Sequence, residues 1–232
     1  ITNYERTVDV GAGSSCPTDS AYQLKIHPGW NMIGNPYPFS VLWDDCSISS
    51  DSVGILYYYD PIDGYQLYWN EFDPWKGYWV HNADEDTVII SVLPRQSGLG
   101  KQSSSSKKLY TQIASDECLI RFSAHTEAAK DLDNFAGMKE DAAFSRDLYD
   151  QPEPPPVGEY VSLFFNHSDW KKHSGRYAVD IQEMNDEGCV WDCAVETRVS
   201  NEDVHISWEF INDLPDGWEA YFVDLEDGYS KN

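Results

Sequence analysis

Residues 29–38 read GWNMIGNPYP, and further along the chain residues 74–80 read PWKGYWV. Both stretches combine aromatic residues, which favour strands, with the glycine, proline and asparagine that form tight turns. Neither contains a nucleophile, a set of metal ligands or a phosphate-binding loop. The clearest pattern in the chain therefore predicts an architecture of short strands and turns, and it does not specify a reaction.

Alternating apolar residues and turn signals predict short strands in the rest of the N-terminal half. The turn-forming residues 60–64 predict a hairpin between the strands on either side, and residues 82–86 predict a second hairpin. No helix is predicted in this half. The predicted strands are residues 22–26, 30–33, 54–59, 65–69, 76–82 and 87–93.

The C-terminal half has the same character, with turn signals at the intervals typical of a β-sandwich. Its predicted strands are residues 118–124, 159–166, 175–181, 189–200, 204–208 and 219–225.

A low-complexity, basic stretch separates the two halves. Residues 96–108 read QSGLGKQSSSSKK, a composition typical of a flexible linker. We therefore predict domains at residues 1–95 and 109–232. The expected fold class is all-β, with two β-sandwich domains of immunoglobulin or jelly-roll type joined by this Ser/Gly/Lys-rich linker.

The charge is strongly acidic. The chain has 40 acidic and 16 basic residues and a formal net charge of −24. Such a surface repels the phosphates of nucleic acids, so a DNA or RNA partner is excluded, and no apolar run predicts membrane insertion. The charge would attract cations, calcium in particular, or basic partners, although solubility alone also explains it.

Five cysteines are scattered without a metal-binding spacing. An odd number leaves at least one thiol unpaired within the chain. In an extracellular setting we expect one or two disulfides, and Cys16 with Cys46 is the first pairing to consider because both lie in the N-terminal half.

The residues that mark the architecture also carry a resemblance to a known group of proteins. Residues 29–37, 56–60 and 74–80 resemble a module of large secreted bacterial proteins, found near their C-terminal ends upstream of sorting domains of the type IX secretion kind. The segment that often follows it is similar to residues 133–137, 147–150 and 153–155, the strand with Trp191, and residues 214–215 and 224–225. The resemblance implies a surface-exposed accessory region, and it supplies no catalytic residue.

The densest set of oxygen ligands suggests a calcium site. Residues 131–134 read DLDN and are predicted to form a loop, but the spacing does not fit an EF-hand. A solvated acidic loop, closed by Asx turns, is the alternative. The candidate ligands are Asp131, Asp133 and Asn134, with Asp147 and Asp150 from a later segment.

Aromatic residues of the N-terminal half suggest a sugar-binding platform, because exposed Tyr and Trp side chains stack on sugar rings. The alternative is that most of them form the core and cross-strand pairs of a small sheet. The candidates for exposed ligand-binding residues are Tyr58, Tyr68, Trp69 and Trp75.

The sequence contains no nucleophile elbow, zinc-binding helix motif or phosphate loop, so we predict that the protein is not an enzyme. The predicted function is that of an extracellular structural or adhesive part of a bacterial surface or secreted assembly, such as a filament or surface-layer subunit. Its expected partners are copies of itself, other surface proteins or polysaccharide. The alternative function is a carbohydrate-binding accessory module of a secreted hydrolase. A third alternative, an enzyme, would require a cleft that holds a carboxylate of raised pKa.

Overall fold

The protein is described by a computed structural model that covers residues 12–50, 52–67, 70–97, 118–185, 188–225, 228 and 230–231. The described residues form strands, with two single-turn 3-10 helices at Trp43–Asp45 and Lys171–His173. The all-β prediction is confirmed. Residues 98–108 of the predicted linker lie outside the described residues, as do Tyr68 and Trp69. The strands are β1 (Tyr22–Ile26), β2 (Gly29–Gly34), β3 (Val41–Leu42), β4 (Ser47–Ile48), β5 (Tyr57–Asp60), β6 (Gly64–Gln66), β7 (Glu71–Phe72), β8 (Gly77–Asn82), β9 (Val88–Val92), β10 (Leu119–His125), β11 (Lys130–Lys139), β12 (Gln151–Pro152), β13 (Val161–His167), β14 (Gly175–Glu183), β15 (Cys193–Thr197), β16 (His205–Phe210), β17 (Phe222–Val223) and β18 (Ser230–Lys231).

Two sheets of the N-terminal half contribute to one core. One sheet has the order β1-β9-β4 and the other the order β2-β8-β5-β6, while β3 and β7 form a small separate ribbon. Ile26 and Ile90 of the first sheet lie in the same buried cluster as Ile33, Tyr78 and Val80 of the second. The apolar faces of both sheets are therefore removed from water together, which is the main driving force for folding this half.

The predicted hairpin between the strands at residues 76–82 and 87–93 is wrong in its pairing. Both strands exist, as β8 and β9, but β8 pairs with β2 and β5, while β9 pairs with β1 and β4. The connection turns a corner from one sheet to the other. Buried Asn82 holds this corner, because its Nδ2 donates hydrogen bonds to the backbone oxygens of Ile26 and Asp86.

The C-terminal half is built on a seven-stranded sheet. The order is β15-β13-β14-β11-β10-β16, and the short β12 pairs with β14. Every pairing is antiparallel except that of β11 with β14, which is parallel. Strands β17 and β18 form a separate two-stranded ribbon.

The prediction of a loop at residues 131–134 is wrong, because these residues belong to β11. Asp131 pairs with Ala124 of β10, and Asn134 pairs with Phe122. A β-bulge between these two pairs shifts the register of the strands. Since Phe122 and Ala124 lie two positions apart on one strand, the bulge brings Asp131 and Asn134 to the same face. Both side chains are buried, so polar residues occupy interior positions and hide the alternation by which a strand is recognised.

The β5–β6 hairpin of the N-terminal half packs against the C-terminal half. The Tyr57 hydroxyl donates a hydrogen bond to the Pro152 carbonyl at 3.0 Å, and the Tyr65 hydroxyl donates one to the Pro155 carbonyl at 2.7 Å. Leu67 packs against the buried cluster that includes residues of β10, β11 and β14. The hairpin therefore joins the two halves through both polar and apolar contacts.

Candidate functional site

A small cleft lies at this junction, and three acidic residues line it: Asp131, Glu153 and the exposed Glu159. The hairpin lines one side of it, and β11, β13 and the proline-rich segment after β12 line the other. Asp131 enters the cleft from β11, and Glu153 enters it from the proline-rich segment. Other lining residues include Tyr59, Gly64, Tyr65, Lys130, Pro154 and Tyr160.

Asp131 is tied to the neighbouring strand β13. Its side chain is 7% exposed, and its Oδ2 accepts a hydrogen bond from the Leu163 backbone N–H at 2.6 Å. Burial raises the pKa of Asp131 to about 7, and the hydrogen bond from Leu163 opposes part of this rise. The carboxyl group is therefore poised to hold or release a proton near neutral pH.

Glu153 is the second carboxyl group of the cleft. Its Oε1 accepts a hydrogen bond from the Ser162 hydroxyl at 2.7 Å. Burial, followed by the charge of Asp131, raises the pKa of Glu153 well above its usual value. The charge of Asp131 therefore opposes the ionisation of Glu153, as expected for like-charged groups that line one small cleft.

Asn134 adds a polar group beside this pair. Its side chain is fully buried, and neither its Nδ2 nor its Oδ1 has a partner of normal hydrogen-bond geometry. The amide is nevertheless near enough to Asp131 to lower the pKa of that carboxyl group. A buried amide without partners is costly, and such groups commonly bind a water molecule or an ion.

The size of the cleft limits what it can hold. Its volume of about 40 Å³ has room for about three water molecules, whereas pockets for organic ligands usually enclose about 300 Å³ or more. A raised-pKa carboxylate in a cleft is the feature that favours an enzyme. Here the pair is engaged by donors from β13, and the space suits a proton, water or a small ion.

The other predicted calcium ligands are engaged elsewhere. Asp133 forms a salt bridge with Arg121, with 2.8 Å between Oδ1 and Nη2. Asp147 accepts hydrogen bonds from the backbone N–H groups of Ala143 and Tyr149, both at 2.8 Å. The structure thus places Asp131 and Asn134 together, and it gives Asp133 and Asp147 separate structural partners.

Asp150 bonds to the backbone of β14 in the seven-stranded sheet. It is fully buried, and its two carboxyl oxygens accept hydrogen bonds from the backbone N–H groups of Asp147 at 2.8 Å and Ile181 at 3.0 Å. Burial raises its pKa to about 8, and the nearby charges of Asp147 and Asp180 contribute. Within the described residues, no three or more His, Cys, Asp or Glu side chains are grouped as metal ligands.

The predicted sugar-binding aromatics have different environments. Tyr58 packs against the N-terminal core, with the Lys76 ammonium group 4.7 Å from its ring centre. Trp75 is 93% exposed at the turn before β8, and its backbone has a left-handed φ of 63°. Tyr68 and Trp69 lie outside the described residues.

Sequence reasoning missed Glu153 and a histidine–carboxylate contact. Glu153 lies in the run QPEPPP, which predicts only a stiff, extended connection. His167 Nε2 lies 2.9 Å from Asp180 Oδ2, and the His167 ring stacks on Trp170 at 3.5 Å. Since β13 and β14 bring these residues together, their spacing along the chain gave no signal.

Comparison of the chain with protein-family models, with curated proteins and with solved structures finds no match. The described part of the chain also contains no helix with the length and apolar character needed to cross a membrane. Functional inference therefore depends on the residues and contacts described above.

Proposed function

We propose that the protein is a non-catalytic, extracellular structural or adhesive part of a bacterial surface or secreted assembly. The observation that carries this proposal is the edge strand β16. Among the described residues β16 pairs only with β10, and its outer side carries no further strand. Ile206 and Phe210, which lie on the same face of β16, are both exposed. An open edge with exposed apolar side chains suits strand-to-strand association.

A second copy of the chain is the partner that this geometry favours. In the described residues, β15 forms the opposite edge of the same sheet and likewise pairs on one side only. Contact between β16 of one copy and β15 of the next is a head-to-tail interface, which produces a filament when its rotation does not close into a ring. The net charge of −24 opposes such contacts, and salt or bound cations would reduce that repulsion.

Sedimentation velocity over a range of protein concentrations, at physiological salt with and without calcium, tests this function. We expect concentration-dependent oligomers, and Ile206→Lys should shift them toward monomer. Met32→Lys is the matched control, because Met32 is 68% exposed on a different sheet and gains the same charge. A monomer under every condition would contradict assembly through this edge.

The finer architecture and the location are part of the same proposal. The two N-terminal sheets around one core support a β-sandwich for that half, and a second β-sandwich domain would be formed by the C-terminal half. An extracellular location agrees with the resemblance to secreted accessory regions. It also predicts that cysteines close in the fold pair as disulfides.

Trp75 favours a second candidate function, a carbohydrate-binding accessory module. A large aromatic side chain, 93% exposed and held in a left-handed backbone conformation, is unfavourable for folding and is therefore a candidate for ligand contact. Binding to a panel of insoluble polysaccharides, compared between the wild type and Trp75→Ala, tests this function. Retention that is lost in the variant would support it, and equal behaviour of both proteins would contradict it.

A further inference from the structure

We propose that Asp131 and Glu153 bind one divalent cation in the cleft between the β5–β6 hairpin and β11, and that calcium is the ion their oxygen chemistry favours. This ligand set differs from the one predicted from the sequence, since Glu153 replaces Asp133, Asp147 and Asp150. The inference does not depend on the proposed structural function.

The first argument is the placement of the two carboxyl groups. They come from separate elements, β11 and the segment after β12, and line the same cleft. Asp131 uses Oδ2 for the Leu163 N–H, and Glu153 uses Oε1 for the Ser162 hydroxyl. Each carboxyl group has a second oxygen that takes no part in these two bonds. Two carboxylates held in one small space are a suitable pair of ligands for calcium.

The second argument is that, among the described residues, no positive charge is dedicated to the pair. Lys130 lines the cleft, but its Nζ lies 3.0 Å from Asp63 Oδ1 in the hairpin turn. Arg176 lowers the pKa of Glu153, yet its Nη2 lies 2.7 Å from Glu196 Oε2. Both nearby cations are thus shared with acidic residues outside the cleft. Asp131 is buried and Glu153 is half-buried, and no described cation belongs to this pair alone. Ionisation of both carboxyl groups is therefore unfavourable, and a proton or a bound cation would stabilise the pair.

The third argument is Asn134. Its amide is fully buried beside Asp131 and has no hydrogen-bond partner of normal geometry among the described residues. Asn134 does not line the cleft itself, but its amide lies next to Asp131, which does, and amide oxygens are common calcium ligands. The cleft volume of about 40 Å³ also fits an ion with a few waters and excludes a larger ligand.

Terbium luminescence provides a direct test, because Tb³⁺ substitutes for calcium and is sensitised by nearby tyrosines. Tyr59 and Tyr65 both line the cleft. After removal of metals with EDTA, titration of the full chain with TbCl₃ at pH 7.5 should give a saturable signal for one ion per chain. CaCl₂ should displace it, whereas MgCl₂ at equal ionic strength should displace it less.

Variants separate this site from non-specific binding to an acidic surface. In the wild type, bound calcium should raise the melting temperature. Glu153→Gln should weaken terbium and calcium binding at least tenfold and abolish this rise. Glu85→Gln, an exposed residue in the loop after β8, removes the same charge and should bind like the wild type. Asp131→Asn keeps an oxygen for the Leu163 N–H and serves as the second variant if Glu153→Gln does not fold. Unchanged affinity in the variants, or no saturable site in the wild type, would overturn the proposal and leave the pair with a shared proton.

Discussion

Gly64 lies directly against the backbone carbonyl of Lys130, so closely that a Cβ atom at Gly64 would overlap the carbonyl oxygen. Gly64 also has a φ of 76°, a conformation that side chains other than glycine rarely adopt. The first residue of β6 is therefore a glycine for two independent reasons. The close approach of the hairpin to β11 depends on the absence of a side chain at this position.

Gly64→Ala should lower the free energy of unfolding by about 2 to 4 kcal/mol. Left-handed backbone costs alanine about 1 kcal/mol or more, and steric overlap with an adjacent backbone adds about 1 to 3 kcal/mol. Gly29→Ala is the matched control, because Gly29 has a φ of 80° but no neighbouring atom within 4 Å of its added Cβ. Urea unfolding of both variants measures the difference.

The control variant should lose only about 1 kcal/mol, the cost of the backbone conformation. The difference between the two variants then reports the contact between hairpin and β11. Equal losses in both variants would show that the hairpin does not pack against β11 as described.

Stability should fall as the pH rises from 6.5 to 8.5. Burial raises the pKa of Asp131 to about 7 and that of Asp150 to about 8, so the folded protein holds protons that the unfolded chain has already released. The slope is at most about 1.4 kcal/mol per pH unit for each carboxyl group. Below pH 6.5 the buried His81 makes the stability rise with pH, because burial lowers its pKa to about 4 and the unfolded chain binds the proton more readily.

Urea unfolding in the presence of EDTA, across this pH range, measures the effect. Asp150→Asn should flatten the curve, since the group with the higher of the two pKa values no longer titrates. Its absolute stability should also be lower, because an amide nitrogen would face one of the two backbone N–H donors. Glu85→Gln should leave the slope unchanged. A wild-type stability that is flat or rising between pH 6.5 and 8.5 would be inconsistent with buried, protonated carboxyl groups.

Local patterns in the sequence predicted most strands, but they did not predict which strands pair. The alternation of residues 22–26 gave β1 correctly, and the turn at residues 60–64 gave the β5–β6 hairpin. The turn signal that begins at Asn82 predicted the wrong pairing. An asparagine is equally typical of a hairpin turn and of a corner between two sheets, and Asn82 holds such a corner. The pairing of strands depends on the shared core, and the residues of that core come from distant parts of the chain.

The candidate site was predictable only in part for a related reason. Asp131 and Asn134 attracted attention as oxygen ligands, although the strand that carries them looked like a loop. Glu153 joins Asp131 through the packing of a proline-rich segment beside β13, and no spacing along the chain reports that contact. Long-range contacts of this kind become visible only when the fold is known.

Trp75→Gly should raise the free energy of unfolding by about 1 kcal/mol. The φ of 63° is unfavourable for tryptophan and free of strain for glycine, and the exposed indole contributes little burial. Trp75→Ala keeps the strained backbone and is the control, for which we expect little change. A loss of stability in Trp75→Gly would show that the indole makes stabilising contacts.

The cysteines provide a test of the oxidised protein. Cys16 and Cys46 pack against one cluster and both influence Tyr37, and Cys118 and Cys189 share another cluster. All five cysteines are free in the structure. Upon air oxidation we expect the pairs Cys16–Cys46 and Cys118–Cys189, with Cys193 left as the free thiol. Peptide mapping by mass spectrometry under non-reducing conditions measures the pairing, and a disulfide that includes Cys193 would contradict it.

The hairpin contacts of Tyr57 and Tyr65 have a consequence for how this chain can be inherited. Because the N-terminal half places these hydroxyl groups on carbonyls of Pro152 and Pro155, neither half presents a complete surface without the other. A recombination event that separated them would leave the Leu67 side chain without its apolar partners. We therefore expect the two halves to be transferred between genes as a single evolutionary unit.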